Sequence, residues 1–97
     1  MVAKRMFFAR YEGSKDMEIK NCLVLRQDLL NYGFRKEENE HYTYQFVEEV
    51  KIRISFDLST PGPEEHEVEV RFEEGTDLEP YRSALGQMYE SRGFKLS

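Results

Sequence analysis

The chain has 97 residues with 14 Lys+Arg and 19 Asp+Glu, a net charge of −5, which argues against a protein built mainly to bind phosphate backbones. Hydrophobic content of 39% beside 34% charged residues is too apolar for a disordered chain, and this length fits one domain, 1–97, with a single modest core. No stretch approaches the roughly 18 apolar residues of a membrane span, and Met6-Phe7-Phe8-Ala9 is too short an apolar run for a secretory signal.

The single cysteine, Cys22, leaves no internal disulfide and no Cys-based zinc set, so a reducing cytoplasm is the simplest compartment. The net charge hides a split. Residues 1–36 carry eight basic and four acidic side chains, net +4, and residues 37–97 carry six basic and fifteen acidic ones, net −9.

Lys4 to Tyr11 reads as a first strand with Met6 and Phe8 on one face and Phe7, Ala9 and Tyr11 on the other. Both faces are partly apolar, as in a central strand or one covered at an interface. Asp16 to Tyr32 reads as a helix with Ile19, Cys22, Leu23, Leu29 and Leu30 as its stripe, interrupted by Arg26. Ser14 or Asp16 is placed to cap its start. Gly33 suits the C′ position, with Phe34 packing back on Leu29.

His41 to Leu58 alternates, with Tyr42, Tyr44, Phe46, Val50, Ile52, Ile54, Phe56 and Leu58 on one parity. A straight strand of this length would span roughly 60 Å, too long for a domain of this size. A hairpin with a three-residue connection, pairing Phe46 with Val50 and Tyr44 with Ile52, keeps one apolar face. A bulged continuous strand is the alternative. Ser59-Thr60-Pro61-Gly62-Pro63 is the strongest turn signal. His66 to Glu73 is the next strand, with His66, Val68, Val70 and Phe72 inward and Glu67, Glu69, Arg71 and Glu73 outward.

Thr76-Asp77-Leu78-Glu79 fits a capping box, with Pro80 in the first turn of a helix that runs to about Arg92. Leu78, Tyr81, Leu85 and Met88 form its stripe. Both helices end in Gly-Phe-basic, Gly33-Phe34-Arg35 and Gly93-Phe94-Lys95. These read as two C-caps with a hydrophobic anchor; the sharper alternative is a duplicated βαβ-like unit in which Phe94-Lys95-Leu96 is a stunted last strand.

The expected fold is α+β, a two-layer sandwich in which an antiparallel sheet of three or four strands carries two helices on one face, in the order β-α-β-β-β-α. This order resembles the ferredoxin-like βαββαβ plan with its last strand nearly absent. The resemblance is one of topology alone and implies no function.

The chain has no Gly-rich phosphate loop, nucleophile elbow, His-Glu-x-x-His or Cys-x-x-Cys, so no catalytic, cofactor or metal residue is assigned and an enzyme is the less favoured reading. His41 and His66 stand beside acids but read as surface or strand-edge residues, not metal ligands. Cys22 reads as a buried, inert thiol.

The main lead is the stretch from Glu64 to Glu79, with eight acids and one base, Arg71. Solvated charge is the simpler account of such a run, but a one-signed patch also steers a basic partner. The expectation is a non-enzymatic interaction or regulatory domain, acting through this acidic surface or an edge strand. Glu64, Glu65, Glu67, Glu69, Glu73 and Glu74 are the partner-binding candidates. The first alternative is a dimeric ferredoxin-like enzyme or ligand-binding domain. The second is single-stranded nucleic-acid binding through Phe7, Phe8 and Tyr11, disfavoured by the neighbouring acids.

Overall fold

The computed structural model describes residues 1–37, 40–56 and 65–97. The elements are β1 (Val2–Tyr11), α1 (Lys15–Tyr32), β2 (Arg35–Glu37), β3 (Glu40–Val47), β4 (Lys51–Ser55), β5 (Glu65–Glu73), α2 (Glu79–Ser91) and β6 (Phe94–Leu96). Every strand pairing is antiparallel, and the sheet order is β2-β3-β4-β5-β1-β6. The α+β class holds, but among the described residues the sheet has six strands, not three or four. The two additions are three-residue edge strands that follow the two glycine caps, too short to show an alternating pattern. Among the described residues, no helix is long and apolar enough to cross a membrane.

Alternation sorts the strand residues into two faces. Ala9, Tyr44, Phe46, Ile52, Ile54, Val68 and Val70 turn to one side and form a single core with Cys22, Leu25 and Leu29 of α1 and Leu85 and Tyr89 of α2. The other face of the sheet is open and mostly charged.

The residue 47–51 region is a hairpin, with a register two residues from the expected one. Phe46 pairs with Ile52 and Tyr44 with Ile54. The connection is Glu48-Glu49-Val50, closed by a bond from the Glu48 N–H to the Val50 carbonyl at 3.0 Å. A shift of two preserves the apolar face and lets Val50 bury its side chain from the turn. The Ser59–Pro63 turn signal and Leu58 fall outside the described residues.

Gly33 closes α1 as expected. Its φ is +129°, and the Phe34 and Gly33 N–H groups bond the Leu29 and Leu30 carbonyls at 3.0 and 3.2 Å, the paired bonds of a Schellman motif. Gly93 also has a positive φ, +82°. The helix starts depart from expectation. Ser14 occupies the N-cap of α1 without a side-chain bond. The Thr76–Glu79 capping box does not form; the Asp77 carboxylate accepts from the Glu79 N–H at 3.0 Å instead, and α2 begins there with Pro80 in its first turn.

The expected face of α1 is also corrected. Glu18, Cys22, Leu25 and Leu29 are buried, whereas Ile19, Leu23 and Leu30 are 49%, 53% and 41% exposed. Apolar side chains lie all round this helix, so spacing alone favours no single face. On α2 the expected stripe holds, with Tyr89 added as its most buried member. Arg92 grips Asp28 with two bonds, 2.7 and 3.1 Å, tying the end of α2 to α1.

This assignment predicts that Leu25→Ala lowers unfolding stability by about 2–5 kcal/mol, the cost of a buried cavity, while Leu23→Ala changes it by less than about 0.5 kcal/mol. Denaturant titration of the two variants checks it; a loss for Leu23→Ala as large as that for Leu25→Ala would contradict the assigned face.

Candidate functional site

The long register of β1 with β5 decides how the charges meet. Val2 to Arg10 lie opposite Glu73 to Glu65, so the basic first strand is interleaved with the acidic one. On the other flank of β5, Lys51 and Arg53 of β4 lie opposite Arg71 and Glu69. Glu69 accepts from Arg71 at 3.1 Å and stands 3.9 Å from Lys4. Glu73 meets the terminal ammonium at 3.2 Å, and Arg53 holds Glu37 through two bonds of 3.1 and 3.2 Å. Each exposed pair contributes little stability, but together they break up the one-signed surface that the acidic stretch suggests.

Of the partner-binding candidates, Glu67, Glu69 and Glu73 share the open face of β5, and Glu65 belongs to the same strand. Glu74 follows the strand and is exposed. Glu64 lies outside the described residues. A shallow recess of about 270 Å³ on this face is lined by Glu37, Gln45, Lys51, Arg53, Glu69 and Arg71, most of them already engaged with each other.

β1 brings different resources. Val2, Met6 and Phe8 are 63%, 36% and 41% exposed on the open face. Phe7 and Tyr11 turn the other way and pack on the core. Tyr11 meets Phe94 edge-on at 5.1 Å and accepts a bond from Asn21 at 2.7 Å. The three aromatics proposed for stacking on bases are therefore divided between two faces, with Phe8 alone on the open one. β6 pairs only with Ala9, Arg10 and Tyr11 and, through Ser97, with Phe8.

His66 is not a surface residue. It is 3% exposed, in an aromatic cluster with Phe56, Tyr89 and Phe94 at centroid distances of 4.4, 5.3 and 5.6 Å. Its Nε2 lies 2.9 Å from the Tyr89 hydroxyl, and Nδ1 has no partner among the described residues. Burial lowers its pKa to about 4 and raises that of Tyr89. Burial likewise pushes the Cys22 thiol up to about 11, with Arg26 opposing and Glu18 assisting. Burial holds these three groups neutral in the core. Local sequence could not reveal the His66 cluster, because its partners come from α2, β6 and the end of β4. His41 lies in β3, and no metal-binding group of His, Cys, Asp or Glu occurs among the described residues.

No protein-family model matches the chain, and no curated protein is significantly similar to it.

The buried His66 predicts an acid-sensitive fold. The unfolded chain takes up a proton near pH 6.5, whereas the folded one resists until about pH 4. The contribution is therefore intact above pH 6.5 and is lost as pH falls toward 4, up to about 3 kcal/mol. Urea titrations across this range should show a shallower loss for His66→Phe than for the wild type, whatever the variant's stability at pH 7. Equal slopes would contradict a neutral buried imidazole.

Proposed function

We propose that the protein is a non-enzymatic interaction domain that engages another protein through its sheet, chiefly through β1. The observation that carries this reading is the concentration of unspent binding capacity on one strand. β1 presents Val2, Met6 and Phe8 to solvent on one face. Aromatic and sulfur-bearing side chains on an exposed face are the usual anchors of protein interfaces. The groups best suited to nucleophilic or acid–base chemistry, Cys22 and His66, are buried in the core.

The acidic side chains then act as the rim of the interface. Glu67 lies opposite Phe8 and Glu69 opposite Met6, where they would discriminate among partners and speed encounter with a basic one. A cytoplasmic setting suits the reduced Cys22. In support of a ferredoxin-like variant, β1 lies between β6 and β5, and β4 follows β5; β2 and β3 would then be an insertion after α1.

A homodimer is the second reading, favoured by the same exposed Met6 and Phe8 on a six-stranded open face. Sedimentation of the pure protein separates the two, since a concentration-dependent dimer abolished by Phe8→Glu would favour it.

Affinity capture from the source cell at moderate salt tests the main reading. Wild type should retain a specific partner, Met6→Ser with Phe8→Ser should lose it, and Glu67→Gln with Glu69→Gln should weaken it by less. Surface changes of this kind alter stability by only about 0.5 kcal/mol, so loss of capture would report the surface. Absence of a specific partner, or capture indifferent to Met6 and Phe8, would contradict the reading.

A further inference from the structure

We propose that the open face of the sheet docks a partner protein whose contact surface is apolar at its centre and acidic at one end, with a transverse row of cations, Lys4, Arg71 and Lys51, receiving the carboxylates. The proposal rests on the reading of this chain as an interaction domain and fixes the chemistry of the partner.

The register supplies the first argument. Lys4 of β1 lies directly opposite Arg71 of β5, and Arg71 directly opposite Lys51 of β4. Facing side chains of adjacent strands stand on the same side of a sheet roughly 5 Å apart, so three cations line up over about 10 Å. Like charges facing across strands destabilise a sheet. Neighbouring rows avoid this: Arg53 faces Glu69, and Arg10 stands between Lys95 and Glu65.

The nearest carboxylates do not cancel the row. Glu69, two residues along β5, meets Arg71 at 3.1 Å and Lys4 only at 3.9 Å. Lys51 makes no ion pair among the described residues. The Lys4 and Arg71 side chains remain 58% and 55% exposed, and the shallow recess opens beside Lys51 and Arg71. The fold gains nothing from three aligned cations. A carboxylate laid on them relieves their repulsion and accepts charge-assisted hydrogen bonds.

The rest of the face has the same sign. Arg10, Arg35, Arg53 and Lys95 share it with the row, seven cations against Glu37, Glu67, Glu69 and Glu73. Counting Glu65 and Glu40 by register as well leaves it positive, in a chain whose net charge is −5. An acidic protein therefore gathers its cations on the face that also carries Met6 and Phe8.

Spacing and sign together select the occupant. Lys4, Met6 and Phe8 follow one another along one side of β1, a footprint of about 13 Å, so one partner patch can meet all three. Glu67 lies opposite Phe8 and repels acid at that end, so the partner's carboxylates belong at the Lys4 end. Scattered glutamates also oppose a continuous phosphate backbone, whose charges recur along its whole length. A second copy brings the same excess of cations to its own face and repels itself.

The test uses the 97-residue protein, isotope-labelled for amide spectra, with three probes: acetylated Glu-Glu-Leu-Phe-Glu-Glu-Leu, its Lys-for-Glu counterpart and inorganic tripolyphosphate. The acidic peptide should shift the Lys4, Met6, Lys51 and Arg71 amides saturably. It should bind at least about tenfold more tightly than either other probe, and at least about tenfold more weakly in about 0.5 M salt than in about 0.05 M. Lys4→Gln with Lys51→Gln should weaken it at least about tenfold. The same variant removes like-charge repulsion, so its urea midpoint should equal or exceed that of the wild type.

A lowered midpoint would make the row a structural device and overturn the proposal. Equal or tighter binding of the basic peptide or of tripolyphosphate, shifts confined to another surface, or no shift at about 1 mM acidic peptide would also overturn it. So would shifts of these amides that grow with protein concentration alone, the signature of a second copy on the face. If a captured partner is lost with Met6→Ser and Phe8→Ser but retained by Lys4→Gln with Lys51→Gln, the interaction reading stands and the cationic row falls. If no partner is captured while the acidic peptide binds as expected, the reverse holds.

Discussion

The pairing of β1 with β5 is the constraint on which the rest of the molecule depends. It joins nine residues from Val2 to Arg10 with partners from Glu73 to Glu65, the most distant in sequence of the sheet's long registers. It places Phe7 and Ala9 beside Val68 and His66 on the helix face. It also brings the first strand's cations against the fifth strand's carboxylates. Without this register, Phe7 and Ala9 would not complete the sheet surface under α2, and β6 would have no strand to join.

The same pairing reinterprets the charge asymmetry. The basic first third of the chain and the acidic remainder suggest a polar molecule with two opposed surfaces. In the fold, the basic β1 is flanked by acidic β5, which is flanked in turn by Lys51 and Arg53 of β4. Long-range attraction of a basic partner by the acidic stretch is therefore weakened by its own neighbours. What remains distinctive is local: three exposed apolar side chains on β1, Val2, Met6 and Phe8.

Elements with a strong period or a specific cap were legible in the sequence. β5 and the hairpin announce themselves by alternation, and the glycine caps by Gly33 and Gly93. The hairpin register slipped by two because such a shift leaves every side chain on the same face, so the pattern is blind to it. The face of α1 was illegible because Ile19, Leu23 and Leu30 are as apolar as Cys22, Leu25 and Leu29; only the sheet beneath decides between them. β2 and β6 are too short to show a period, although Phe94-Lys95-Leu96 after the final cap is consistent with a short strand.

The candidate site was less legible than the fold. Composition pointed to Glu64–Glu74, but which cations stand beside those acids depends on strand order, which no local pattern encodes. His66 was placed facing inward by alternation, yet its depth required Tyr89 and Phe94 from the far end of the chain.

Amide hydrogen exchange along β1 tests the central claim most directly, because it reads each backbone group separately. Ala3, Arg5 and Phe7 should exchange slowly, locked to β5, while Val2, Lys4 and Met6 exchange nearly as fast as free peptide and Phe8 is protected by Ser97. Equal protection of odd- and even-numbered residues from Val2 to Phe7 would contradict the account, since this register bonds only the odd-numbered amides to β5.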